Sequence, residues 1–272
     1  MKKACSLLLP EGFNLAQTLG CGQCFRFSQI EENRFCGVAL GRYIELRAQK
    51  NQLEVYCDSD FSADEIGVFL DLETDYLSVN NILSQDETLK SAIGYAGGIR
   101  ILRQPKWETL CSFILSQNNN IKRISGIIER LCECFGEPVG AERYSFPSAE
   151  VLAKLSAEDL APIRSGFRAK YVIDAAKKVV SKEVDLEKID LLDTDSAREE
   201  LMKITGVGPK VADCTLLFGF HKLDAFPKDV WVKRVLEKYY PAGFPDFAKE
   251  YGGIAQQYLF HYIRTAESLN ND

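Results

Sequence analysis

Histidine is nearly missing from this sequence. Two among 272 residues, His221 and His261, leave zinc sites and histidine-based acid–base catalysis short of ligands and bases, so any chemistry must rest on other side chains. Long apolar runs are missing as well. The stretch after the opening lysines in MKKACSLLLPEGF breaks at Pro10, too short for a signal-peptide core or a membrane span. The expectation is a soluble intracellular protein with no membrane partner, cytoplasmic or at the nucleoid, and nuclear in a eukaryote. Nine cysteines, scattered from Cys5 to Cys214, lack the dense, even spacing of a disulfide framework and are expected as reduced thiols. Cys21-x-x-Cys24 and Cys132-x-Cys134 have the spacing of half metal sites, but the second pair falls in a run of helical apolar spacing, which favours buried packing. Positive charge is also short, since 33 Lys and Arg against 39 Asp and Glu give a net charge of −6. Spread evenly, that charge would repel a polyanion. Between Lys203 and Lys238, however, seven basic residues face four acidic ones, a local net of +3 that leaves −9 elsewhere.

What is present is ample apolar material. With 46% hydrophobic residues the chain can build one large core or two ordinary ones. The runs CFRFSQ, RFCGVAL, RYIELRA and QLEVYC fill residues 24–57 and are broken by turn chemistry at Glu32-Asn33, Gly41 and Lys50-Asn51, the pattern of an antiparallel meander. From Ala63 onward helical spacing takes over. The fold class is therefore α+β: an N-terminal antiparallel sheet domain with flanking helices over residues 1–98, then a mostly helical region over residues 99–272, with a hinge expected at Gly97-Gly98. The clearest helix opens near Asn119 or Asn120, carries Ile121, Ile124, Ile127, Ile128, Leu131 and Phe135 on one face, and stops at Gly136. Capping needs one of the asparagines in SQNNN, and the others stand where a nucleic-acid backbone or an unpaired base can be met.

SAREELMKI, TGVG and PKVADCTLLFGF read as helix, tight turn and helix over about residues 196–220. Pro209 suits the first helical position, and the amides of Gly206, Gly208 and Lys210 are then free at a helix start, the geometry of a phosphate site. The spacing is neither that of a P-loop nor that of a dinucleotide fold. Lys210 stands in the first turn, where the positive end of the helix dipole disfavours a cation and favours the neutral amine of a nucleophilic or Schiff-base lysine. The plainer alternative is a lysine that grips phosphate. Nineteen residues on, Asp229 precedes a helix whose apolar face runs Val232, Val235, Leu236 and Tyr239. It can cap that helix, and beside Lys210 it can also steady a cationic sugar transition state.

TGVGPKVAD followed by FPKDVWV resembles the helix-hairpin-helix-GPD superfamily of DNA glycosylases, and within it the 8-oxoguanine DNA glycosylases that also have lyase activity. The similarity continues, in the family's order, through GQCFRF, LSQNNNIKRISGIIERLCECFG, SGFRAKYV and AQQYLF. The resemblance implies a monomer that acts on double-stranded DNA containing oxidised guanine and flips the damaged nucleotide out of the helix. It implies that Lys210 attacks the deoxyribose C1′, displaces the base and forms a Schiff base, with Asp229 as the anion beside it, before β-elimination nicks the strand. It further implies Gly22 as the carbonyl that accepts the N7–H of 8-oxoguanine, Cys214 and Phe260 as the faces that sandwich the base, and Gln256 as reader of its Watson–Crick edge. Asn118 would fill the gap left by the base, while Arg123 and Arg168 would bond the estranged cytosine. Phe167 stands where the family often has a tyrosine wedge, and Trp231 where it often has a histidine that touches phosphate. The first keeps an apolar wedge without its hydroxyl; the second weakens a phosphate contact. No cysteine follows Cys214, so no iron–sulfur cluster is expected, nor any metal or other cofactor, save that a structural cation at the hairpin is compatible with the resemblance. Two rival readings stay open: a glycosylase for another purine lesion, and a helix-hairpin-helix DNA-binding protein without catalysis. The joint presence of Lys210, Asp229, Gly22 and Gln256 speaks against the last.

Overall fold

Five strands of the N-terminal part form one antiparallel sheet in the computed structural model, which describes residues 1–269, with side chains through Arg264. Strand β1 (Lys2–Leu8) and helix α1 (Leu15–Gly20) precede the meander β2 (Phe27–Glu31), β3 (Arg34–Ala39), β4 (Arg42–Gln49) and β5 (Gln52–Cys57), and the sheet order is β1-β5-β4-β3-β2. Alternation in β4 and β5 sets Ile44 opposite Cys57 and Leu46 opposite Val55, with these side chains almost wholly buried. Each such aliphatic side chain contributes roughly 1.5–3 kcal/mol. Strand β1 was not anticipated. Its KKACSLL alternates poorly and pairs with β5 through a register shift between Lys3 and Cys5, as an edge strand can.

Helix α2 (Ala63–Phe69) starts with reciprocal bonds between Ser62 and Glu65 and covers the buried face of the sheet. Then come α3 (Tyr76–Leu83), α4 (Glu87–Ala96), α5 (Lys106–Ser116) and α6 (Ile121–Phe135), followed by a small hairpin of β6 (Pro138–Gly140) and β7 (Arg143–Tyr144). The remaining helices are α7 (Ala149–Ala153), α8 (Arg168–Val180), α9 (Leu186–Asp190), α10 (Thr194–Met202), α11 (Pro209–Gly219), α12 (Val230–Tyr239) and α13 (Gly252–Leu269). No described helix is long and apolar enough to cross a membrane.

Among the described residues, the buried apolar side chains form two cores. One lies between the sheet, α1 and α2, and the other is shared by helices from α3 to α13. Helices α3 and α4 thus pack with the helical part: Tyr76, Val79, Leu83, Leu89 and Ala92 join its core. Tyr258 Oη donates to Asn80 Oδ1 at 3.0 Å, and Tyr240 Oη donates to Asp86 Oδ1 at 2.7 Å. Of the glycine pair expected as a hinge, Gly97 ends α4 and Gly98 is the crossing point with α1. Gly98 is so close to α1 that a Cβ would lie 2.5 Å from Asn14 Cβ, and its carbonyl accepts from Asn14 N at 2.9 Å. Glycine is needed there for close approach, not for bending.

Candidate active site

The turn between α10 and α11 is held from beneath by α8. Asp174 Oδ2 accepts the Thr205 amide at 2.7 Å, and Lys178 Nζ donates to the Lys203 carbonyl at 2.5 Å. Gly206 has φ of +80°, and a Cβ there would meet the Tyr171 ring at 2.4 Å. Gly208 is extended, faces open space and offers no side-chain cap, with Pro209 at the helix start. The first amides of α11 therefore keep their donors free for an external acceptor. Across the hairpin, Arg198 Nε meets Asp213 Oδ1 at 2.5 Å. Burial raises the Asp213 carboxyl above its ordinary value, and Arg198 opposes that shift.

Lys210 and Asp229 line the same cleft of about 520 Å³, at the starts of α11 and α12. Lys210 Nζ lies 5.2 Å from the centroid of the Phe113 ring and interacts with the thiol of Cys214, one turn further along α11. Burial pushes that thiol up, and the lysine draws it partly back. Asp229 accepts from Val232 N at 2.8 Å as the cap of α12. Burial raises its carboxyl above the usual carboxylate range; the Val232 amide and the charge of Lys210 oppose the rise.

A smaller cavity of about 50 Å³ opens beside this pair and brings together Gly22, Cys214, Gln256 and Phe260. Gln256 lines that cavity, and its Oε1 is a buried acceptor without a partner within the protein. The turn that presents Gly22, at φ of +91°, is fixed from both sides. Gln257 Nε2 donates to the Cys21 carbonyl at 3.1 Å, and Gln23 Nε2 donates to the Thr18 and Arg100 carbonyls, each at 2.8 Å.

The three asparagines divide their work. Asn120 caps α6 by accepting from Arg123 N, Asn119 bonds the end of α5 through the Leu115 carbonyl, and Asn118 stays exposed at φ of +47°. Arg123 is exposed at the start of α6. Arg168, expected at an estranged base, is buried instead, and its guanidinium bonds the carbonyls of Gln117, Asn118 and Ser165. Phe167 projects beside it, 48% exposed, with its ring edge-on to Tyr171. Trp231 lines the cleft and stacks under Arg234.

Cys21 and Cys24 donate to carbonyls of α1 instead of converging on a metal, and Cys132 packs in the core as its helical spacing implies. Cys134 departs from that expectation and is exposed, because it falls on the other face of α6. Among the described residues no group of three or more His, Cys, Asp or Glu side chains is placed to hold a metal ion. Sequence reasoning overlooked Arg264 and Phe113, which line the cleft. The spacing of Gln256, Phe260 and Arg264, four residues apart on one helix, could have exposed the first.

Comparison with known proteins finds two family profiles in succession along the chain. Residues 6–110 match the family profile described as 8-oxoguanine DNA glycosylase, N-terminal domain, and residues 111–246 match that of the HhH-GPD superfamily base excision DNA repair proteins. A probable N-glycosylase/DNA lyase of Methanothermobacter thermautotrophicus is 33% identical over 240 residues, 76% of either chain. A solved structure of MBOgg1 in complex with a low affinity DNA ligand is 41% identical, with a TM-score of 0.90 over 96% of both chains. The 8-oxoguanine glycosylase/lyase of Clostridium acetobutylicum, solved in complex with double-stranded DNA containing cytosine opposite 8-oxoG, is 36% identical with a TM-score of 0.87, over 94% of this chain and 93% of that one.

Proposed function

The chain belongs to the HhH-GPD superfamily of base excision DNA repair proteins, in its 8-oxoguanine DNA glycosylase branch, and we propose that it removes 8-oxoguanine opposite cytosine from duplex DNA and then cleaves the strand as a lyase. The observation that carries this reading is the convergence of Lys210 and Asp229 on one cleft with a pocket whose buried Gln256 oxygen lacks a partner. The neutral Lys210 amine attacks C1′ of the flipped nucleotide. The C1′–N9 bond breaks, and the base leaves with the electron pair and takes up a proton. Asp229 stabilises the positive sugar that develops, and its raised carboxyl makes it a better acceptor of the ammonium proton than an ordinary carboxylate. Ring opening gives a Schiff base at C1′. Loss of a C2′ proton then expels the 3′ phosphate by β-elimination, and water releases the enzyme.

Recognition divides between backbone and side chains. The Gly22 carbonyl accepts the N7–H that guanine lacks; against guanine it would face a lone pair. Gln256 pairs its orphaned oxygen with the Watson–Crick edge, and the base lies between Cys214 and Phe260. Asn118 and Phe167 occupy the opened stack, while the amides of Gly206 and Gly208 receive the phosphodiester backbone. Arg123 meets the estranged cytosine directly, and Arg168 joins it as DNA replaces the carbonyls it now bonds. The chemistry proceeds without a resident metal or redox cofactor, on a single chain.

Borohydride reduction in the presence of a duplex carrying 8-oxoguanine opposite cytosine tests the mechanism. A covalent protein–DNA complex is expected, and none with Lys210→Gln. Intact protein that excises the base yet yields no adduct would rule out the lysine route.

A further inference from the structure

On α13, Gln256, Phe260 and Arg264 follow one another at intervals of four residues, in a row along one helix face, with about 6 Å of rise per interval. The row runs from the inside of the site to the outside. Gln256 lines the small inner cavity and not the cleft, Arg264 lines the cleft and not the inner cavity, and Phe260 and Gly22 line both. The Arg264 guanidinium lies 5.2 Å from the Phe260 ring centroid, and its Nη1 is 3.5 Å from the point that a Cβ on Gly22 would occupy. Its Nη2 reaches back to the Gly20 carbonyl at 3.4 Å, which keeps the side chain folded over the site entrance.

A purine resting on Phe260 with its Watson–Crick edge at Gln256 therefore turns its imidazole edge toward Gly22 and Arg264. On that edge 8-oxoguanine differs from guanine at two adjacent atoms. It carries a donor at N7 and an acceptor oxygen at C8, where guanine has a bare lone pair and a C–H. The backbone at Gly22 offers an acceptor for the first. We propose that Arg264 is a specificity residue that donates to the C8 oxygen of the flipped base, so that both differences between lesion and normal base are read at one place. Guanine would leave the guanidinium facing a C–H, with no bond gained there.

This inference rests on the base-excision reading above, and one experiment separates the two. Single-turnover excision of 8-oxoguanine opposite cytosine is compared with cleavage of a preformed abasic site in the same duplex, for the unmodified protein, Arg264→Gln and Arg264→Lys. The ratio of excision to abasic-site cleavage is expected to fall about 10- to 100-fold in Arg264→Gln, the scale of one hydrogen bond to a charged donor, and to recover in part in Arg264→Lys. An unchanged ratio, or an equal fall on both substrates as for a contact to the DNA backbone, overturns the assignment. Unmodified protein that cleaves the abasic site but leaves 8-oxoguanine untouched would instead bring down the excision reading, and this assignment with it.

Discussion

Asp229 has two roles that pull in opposite directions. As the cap of α12 it stabilises a helix start, but as a buried carboxylate it carries a cost, because desolvation holds its pKa above the ordinary value despite the Val232 amide and Lys210. A carboxyl whose folded pKa is raised favours the folded state at low pH, and that advantage disappears as pH rises through the folded value. Asparagine caps a helix as well as aspartate does but has no charge to desolvate. Asp229→Asn is therefore expected to match or exceed the parent in Tm at pH 7, with the gap closing toward the ordinary carboxylate range, while excision falls by orders of magnitude. A large loss of Tm at pH 7 would show that the charge itself holds the fold. Gly206→Ala should do the reverse. Its Cβ would lie inside the Tyr171 ring contact at a φ of +80°, so a loss of roughly 1–3 kcal/mol in a denaturant titration is expected, together with weaker DNA binding. Lys210 and Asp229 were legible in the sequence because each broke or used a rule of helix ends. Gln256 and Phe260 were visible only through resemblance, since a polar residue amid the apolar positions of α13 gives no sign of facing a cavity.

At the scale of elements, the hairpin depends on a brace and α6 on a cap. Removing Arg198 leaves the Asp213 carboxylate, only 7% exposed, without its partner. Because Arg198 itself reaches solvent, Arg198→Ala is expected to cost about 3 kcal/mol, the low end of the range for a broken buried pair, in chemical unfolding. Asn120→Ala should cost about 1 kcal/mol in the same measurement, as loss of an N-cap does. The meander and α6 were readable because one face of each is buried, so period two and period 3.6 appear in the sequence. Strand β1 was not, because an edge strand with a mostly exposed pattern has little period to show. The surroundings of Arg168 were hidden for a different reason: a sequence names the residue but not the carbonyls that its guanidinium bonds in the protein alone.

In the whole molecule the two cores meet at a buried carboxylate. Asp71 follows α2, is fully buried, and accepts from Thr74 Oγ1, Tyr76 Oη and Arg103 Nε at 2.8–3.0 Å, with His221 Nε2 from the end of α11 also at 3.0 Å. Burial alone would raise its carboxyl, but the neighbouring His221 and the hydroxyls of Tyr76 and Thr74 hold it below the ordinary value. A lowered folded pKa supplies stability at neutral pH that is lost as pH falls through it. Asp71→Ala is expected to lose roughly 3–5 kcal/mol at pH 7 and to show a shallower fall in stability on acidification than the parent. Parallel urea titrations at neutral and acid pH measure both. The α+β class and the order of its parts were plain from the change of period near Ala63. The place where the cores divide was not, because amphipathic helices such as α3 and α4 do not say which partner they cover.

That pairing bears on how the chain is made. Helices α3 and α4 leave the ribosome long before α13 exists, yet α13 supplies the tyrosine bonded to α3, and its apolar side chains complete the core that α4 enters. The sheet can close early in synthesis, but the helical core must wait, with apolar faces uncovered, until α13 has been made. A ribosome that stops short of α13 therefore releases no partly working repair enzyme. It releases a finished sheet attached to helices that chaperones and proteases recognise.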